Sequence, residues 1–204
     1  MTTPSWDASY TASAPPPWDT GRPQPAFVRL AEKGLLTGTL LDCGCGTGEQ
    51  TLLALSHGAD AMGVDVSPHA VGQARAKAAG RGLAARFEVA DALRLPDLGQ
   101  TYDTIIDSGV FHVFNDEDRA KYVVSLAAVL RAGGYCYLIC FSDRQPGTFG
   151  PRRVSQDDLR AAFNDGWAIS GIEAETFELR LPGLGIPFAQ AWLATLRRLS
   201  SLGV

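Results

Sequence analysis

The residues most able to do chemistry are glycines and acids. Leu40-Leu41-Asp42-Cys43-Gly44-Cys45-Gly46-Thr47-Gly48-Glu49 leaves a strand-like run and opens a helix. Glycines at 44, 46 and 48 let the main chain approach a ligand closely. A dinucleotide fingerprint needs a further glycine three residues after Gly46, because its pyrophosphate rests on the helix N-terminus; that position is Glu49. Glu49 and Asp42 both disfavour an anionic ligand here and favour a neutral or cationic moiety, such as one bearing an ammonium and a sulfonium. Asp65 ends the next strand-like run, 21 residues after Gly44, where a carboxylate can accept both hydroxyls of a ribose. Ser67 already suits the cap of the helix that follows, which frees Asp65 for that task. Asp91, after a third run, has two equal readings: acceptor for an adenine amino group, with the Ala92 N–H on the ring, or a plain turn start.

Together these segments resemble the class I S-adenosylmethionine-dependent methyltransferases. LLDCGCGTGEQ is similar to their glycine-rich first motif, GVDVSPHAVGQARAKA to their ribose segment and FEVADALRLP to their adenine segment, over roughly residues 37–142. The resemblance implies S-adenosylmethionine as cofactor. It implies contacts from Asp42, Gly44, Cys45, Gly46, Gly48, Asp65, Val66, Asp91, Ala92, Asp107 and Ser108. Enzymes of this kind that methylate nucleobase amines carry an Asn/Asp-Pro-Pro-aromatic tetrad after the fourth strand. Here Asp107-Ser108-Gly109-Val110 stands in its place. DSGVFHVF, with Trp18-Asp19-Thr20-Gly21-Arg22-Pro23, instead resembles the small-molecule thiol, halide and thiopurine branch, in which a Trp-bearing segment folds over the cofactor.

Methyl transfer is an in-line displacement that needs an aligned lone pair and a dry site. A thiol is partly ionised at neutral pH and a halide needs no base, whereas a phenol near pKa 10 needs help. The expected acceptor is therefore a thiol or other soft sulfur nucleophile, or a halide, with a phenol or hydroquinone oxygen as the alternative. His112 and Asp107 are the candidate catalytic residues. His112 is either a base or a packed histidine in the pocket wall, and Asp107 either orients the cofactor ammonium or moves a proton. His112 is expected to line the acceptor pocket, and Phe111 and Phe114 are expected to be pocket lining or core. Arg152 and Arg153 either hold an anionic acceptor there or form surface ion pairs. Trp18 either lies against the sulfonium or pins its segment by burial. A nicotinamide-dependent oxidoreductase and a non-catalytic cofactor-binding protein are the rival readings.

The elements that must position these groups alternate between strand and helix. The expected helices are 26–36, 49–56, 67–79, 117–130 (closed by Gly133-Gly134) and 156–163, the last opened by Ser155. The expected strands are 39–43, 61–65, 86–90, 104–107 and 135–142, then 167–179 as one strand or a pair, and an antiparallel edge strand from about 190. This is an α/β, doubly wound, mostly parallel sheet, and the resemblance implies seven strands in a Rossmann-like arrangement. Residues 26–204 read as a single domain. Residues 1–25 hold six of the twelve prolines and two of the four tryptophans, and read as an extended arm that closes over the cofactor.

Composition narrows the partners. The net charge of −4 over 204 residues supplies no excess positive field for nucleic acid. No stretch of 18 apolar residues is present, so no membrane partner is expected and the cytoplasm is the default location. Cys43, Cys45, Cys136 and Cys140 form no CxxC pair and do not cluster with His57, His69 or His112, so free buried thiols and no metal are expected.

Overall fold

The computed structural model describes residues 3–181 and 188–200. Helices α1 (Thr3–Thr11) and α2 (Pro25–Glu32) precede β1 (Thr39–Cys43), α3 (Glu49–Ser56), β2 (Asp60–Asp65), α4 (Pro68–Gly80) and β3 (Arg86–Val89). Then follow β4 (Tyr102–Ser108), α5 (Asp116–Val129), β5 (Leu130–Phe141), α6 (Gln156–Ala162), β6 (Trp167–Glu178) and β7 (Phe188–Arg198). Short 3-10 turns cover Ala92–Leu98 and Phe111–Val113.

The sheet has seven strands in the order β3-β2-β1-β4-β5-β7-β6. β1 to β5 pair in parallel and β7 runs antiparallel to both β5 and β6. Neighbouring residues on the apolar central strands serve opposite faces. Leu41, Ile105 and Leu138 pack with Tyr122, Leu126 and Phe163 on one side. Leu40, Ile106 and Ile139 pack with Phe27, Leu30 and Phe177 on the other. A sheet covered on both faces therefore needs continuous rather than alternating hydrophobic strands. The strand order reverses between β1 and β4, and the loops after β1, β2, β3 and β4 open at the same carboxyl end, where ligands of such sheets bind.

Four local expectations are corrected. Residues 3–11 are helical, not extended. Pro4 sits in the first turn, where its missing N–H is no loss, and Pro15-Pro16-Pro17 falls beyond the helix end. Residues 167–178 form one strand, and this strand, not the one from 188, is the edge. Gly133-Gly134 does not stop a helix: α5 ends at Val129 and β5 begins at the next residue. Against β4 the register advances from Tyr102↔Leu130 to Thr104↔Tyr135, so the glycines form a bulge. A Cβ on Gly134 would stand 2.7 Å from the Asp103 carbonyl oxygen, which explains the residue type. Finally, α2 ends at Glu32, four residues earlier than the hydrophobic spacing suggests.

Candidate active site at the carboxyl ends of the strands

The glycine loop leaves β1 and turns into α3. Gly44 (φ +68°) and Gly46 (φ +52°) occupy the left-handed region. A Cβ on Gly44 would stand 2.1 Å from Val110 Cγ2, and one on Gly46 3.0 Å from the Tyr10 hydroxyl. The loop is fixed to β2 through the main chain, with Cys45 N donating to Val64 O at 2.8 Å. Asp65 completes the tie: its Oδ2 accepts from Gly46 N and its Oδ1 from Ser67 N, both at 2.9 Å. Burial raises its pKa while these N–H groups oppose the rise. Val66, between Asp65 and Ser67, is half-buried.

Asp42 is fully buried at the end of β1. Its Oδ2 accepts from Thr51 Oγ1 at 2.6 Å, and its Oδ1 has no partner. Burial lifts its pKa to about 7. A buried acceptor left bare is costly and points to a donor outside the protein. Glu49 does something else: Lys77 Nζ lies 2.7 Å from it and Arg81 grips it with two bonds of 3.0 Å. Its charge is thus spent on α4, and the bias against an anionic ligand rests on Asp42 alone.

The N-terminal segment sits on this loop. Asp7 accepts from Ser67 Oγ at 2.6 Å and pairs with His69 Nδ1 at 2.7 Å, docking α1 on the start of α4. Trp18 Nε1 donates to the Tyr10 hydroxyl at 2.9 Å, and Trp6 meets Trp18 edge to face at 5.6 Å. Asp19 accepts from Thr47 Oγ1 at 3.1 Å. Asp7, Tyr10 and Asp19 were missed by sequence reasoning. The available signal was the Trp6–Tyr10 spacing of one helical turn, which the proline-rich composition obscured.

After β3, Asp91 is exposed and its Oδ1 accepts from Leu93 N at 2.9 Å, capping the turn that Ala92 begins. The helix-start reading of Asp91 is thus realised.

After β4, Ser108 is half-buried, and Asp107 is fully buried and occupied. It accepts from Val110 N (2.6 Å), Phe111 N (3.0 Å) and the Tyr122 hydroxyl (3.0 Å). Burial lifts its pKa to about 7. Asp107 holds the turn together with three of its acceptor positions. His112 is also committed. Its Nδ1 accepts from Phe141 N at 2.9 Å, so its proton is on Nε2, and burial takes its pKa down to about 3. Phe141 and Phe177 flank the ring at 5.1 Å and 6.0 Å. A neutral imidazole with Nδ1 taken is a hydrogen-bond donor and not a proton acceptor, which corrects the base reading of His112.

The other expected pocket residues are used by the protein too. Phe111 is fully buried against Phe163 at 5.5 Å and belongs to the core rather than to a pocket wall. Arg152 pairs with Asp116 at 2.5 Å on the surface. Arg153 donates to the carbonyls of Gln145, Pro146, Gly147, Phe149 and Pro151, bracing the loop after β5. The four cysteines are free and buried, and burial pushes the thiols of Cys43 and Cys45 up. A cavity of about 700 Å³ lies at the opposite end of the sheet, lined by Thr37, Asp103, Arg131 and Tyr135, away from all these groups. Among the described residues no cluster of His, Cys, Asp and Glu is placed to hold a metal, and no helix is long and apolar enough to cross a membrane.

Comparison with known proteins decides the family. Residues 40–134 match the model of a methyltransferase domain. The 2-heptyl-1-hydroxyquinolin-4(1H)-one methyltransferase of Mycobacteroides abscessus is 34% identical over 177 residues, covering 82% of this chain and 78% of the relative. The chain is a class I S-adenosylmethionine-dependent methyltransferase. "Probable thiol methyltransferase 2" of Arabidopsis thaliana is 29% identical to this methyltransferase over 152 residues, 74% of this chain and 67% of the relative. A solved structure reported as "Conversion of a Disulfide Bond into a Thioacetal Group during Echinomycin Biosynthesis" superposes with a TM-score of 0.89 at 37% identity, covering 97% of this chain and 93% of the other. More distant structures of the fold contain S-adenosylmethionine or S-adenosylhomocysteine. S-adenosylmethionine is the methyltransferase's cofactor, and the bare Asp42 Oδ1 beside the glycine loop fits its cationic end.

Proposed function

We propose that this methyltransferase alkylates a small molecule that reaches the site already ionised, a thiol or other soft sulfur nucleophile first. An acidic hydroxyl is the alternative acceptor. The observation that carries this reading is the commitment of both candidate bases: Asp107 by three donors and His112 by the Phe141 N–H on Nδ1. A site whose two candidate bases are both held by hydrogen bonds to the fold favours an acceptor that arrives ionised, and a thiol near pKa 8.5 meets that condition far better than a phenol near 10. The thiol methyltransferase relative and the disulfide-to-thioacetal structure support sulfur; the hydroxyquinolone relative supports the alternative.

The cofactor, when bound, supplies an electrophilic methyl group on a sulfonium. We assign its binding to Asp42 for the cationic end, the main chain of Gly44, Cys45, Gly46 and Gly48, and Asp65 with Val66 for the ribose. Asp91 and Ala92 take the adenine side and Ser108 the methyl side. A carboxylate has about four acceptor positions, so Asp65 keeps capacity beyond Gly46 N and Ser67 N. Asp91 likewise keeps Oδ2 after its cap. Tyr10 and Trp18 cover the loop and exclude water, and Asp7 holds them there. On the acceptor side, Asp107 shapes the turn so that His112 presents Nε2–H, which donates to the anionic acceptor and orients its lone pair.

The test is formation of adenosylhomocysteine across pH with thiophenol, phenol and iodide. Thiophenol is expected to react best, and at saturating S-adenosylmethionine kcat/KM for thiophenol and for phenol is expected to rise with each acceptor's own ionisation, whereas iodide needs no such rise. Phenol turned over as fast as thiophenol, on a profile unrelated to acceptor pKa, would overturn the reading.

A further inference from the structure

Arg119 has no part in the assignments above. It lies near the start of α5, with its side chain 6% exposed. Its Nε and Nη2 have no hydrogen-bond partner. These two nitrogens form one edge of the guanidinium, and their N–H bonds run side by side, the geometry that grips a planar oxyanion at both oxygens. The guanidinium carbon stands 4.5 Å from the centroid of Phe111, the residue before His112, in the turn that Asp107 holds.

Nearby carboxylates do not fill this edge. Asp116 Oδ1 lies 3.9 Å from Nη1, the nitrogen on the other side, and is drawn to Arg152 at 2.5 Å. Asp158, which faces Arg119 from α6, spends its Oδ2 on the N–H and hydroxyl of Ser155, at 2.8 Å each. Arg152 and Asp116 are 42% and 82% exposed, and their pair lies on the Nη1 side of the closed-in Arg119. A buried guanidinium is retained when something pairs with it. Here a cation whose Nε/Nη2 edge has no hydrogen-bond partner stacks on Phe111, in the turn that carries His112, and Asp158 and Asp116 act on it through charge without bonding that edge.

We propose that Arg119 receives a carboxylate, or an equivalent planar oxyanion, carried by the methyl acceptor. It thereby makes the enzyme selective for acceptors with a second anionic group beside the nucleophile. The inference rests on the small-molecule acceptor reading and adds a substrate class to it.

The experiment uses the full chain with S-adenosylhomocysteine bound. Benzoate is titrated while the Arg119 Nε–H resonance is followed, and kcat/KM is measured with thiophenol and with 4-mercaptobenzoate. Benzoate is expected to shift that resonance, and the carboxylated thiol to be preferred by about tenfold. Arg119→Gln is expected to bring the preference to within about twofold, and Arg119→Lys, which keeps the charge and loses the fork, to fall between. No benzoate shift in the wild type, or a preference unchanged in a folded Arg119→Gln protein, overturns the proposal. Equal shifts with benzoate and inorganic sulfate, without any preference between the thiols, show an adventitious ion only and overturn it too. If benzoate shifts Arg119 but neither thiol is methylated, the anion site stands and the sulfur reading fails.

Discussion

Between β1 and β3 the groups at the carboxyl end are main-chain N–H groups and strand-end carboxylates; between β4 and β7 they are side chains of the β4 end, the turn after it, α5 and the loop after β5. In the first region the nominated residues keep capacity for a ligand. Asp42 has a bare oxygen and the glycine loop is closed off by Tyr10 rather than by its own side chains. In the second region the candidate residues are held by the fold: Asp107 by a turn, His112 by Phe141, Arg152 by Asp116 and Arg153 by five carbonyls. Among the described residues the buried donors without a partner belong to Arg119, which no motif marks. On the assignments proposed above, cofactor binding is written in backbone conformation, whereas acceptor recognition depends on which side chain is left without a partner.

The two regions touch where Val110 closes on Gly44, and breaking that contact should have the largest effect. Gly44→Ala places a Cβ 2.1 Å from Val110 Cγ2 at φ +68°. Left-handed strain costs about 1–3 kcal/mol, and the overpacking adds a cost of similar size. Gly82→Ala is the control, because φ is +66° there and nothing lies within 4 Å of the added carbon. Melting curves should show Gly44→Ala clearly the more destabilised, and calorimetry should show its adenosylhomocysteine binding lost. Equal melting losses would mean that the Val110 contact carries nothing.

Asp42 and Asp107 sharpen the comparison through pH, since both are buried with pKa near 7 but only Asp42 has a bare oxygen. A carboxyl whose folded pKa lies above its unfolded value binds its proton more tightly when folded. The stability it contributes is complete below about pH 4 and is lost as pH rises through about 7. The apo enzyme should therefore melt at lower temperature at pH 8 than at pH 5. Asp42→Asn removes one of the two titrations and should reduce that loss by about 2–4 °C, the shift that about 1 kcal/mol gives in a domain of this size. The same variant should bind adenosylhomocysteine about tenfold more weakly, having lost the charge on the bare oxygen. Parallel pH slopes for variant and wild type would contradict the assignment.

These contrasts explain what was legible. The Asp42–Glu49 loop and the Ser67-Pro68 helix start show in sequence because glycine and capping residues are local rules. The β5 start is not legible in the sequence, because a glycine pair ends helices and makes bulges equally well, and the choice here is set by the Asp103 carbonyl across the sheet. The fates of His112 and Arg119 were not legible, because a partner such as Phe141 N lies 29 residues away in sequence.

The smallest effects are expected at the adjacent arginines, which separate the two ways a loop cation can act. Arg153 donates to carbonyls along residues 145–151, so Arg153→Gln leaves several without a donor and should cost about 1–3 kcal/mol. Limited proteolysis should then cut within that loop. Arg152 makes one exposed ion pair, worth about 0–1 kcal/mol, and Arg152→Gln should leave the cleavage pattern as in the wild type. If both variants instead keep the loop closed and raise KM equally for an anionic acceptor, both arginines act on the ligand. The selectivity assigned to Arg119 would then have to be shared with them.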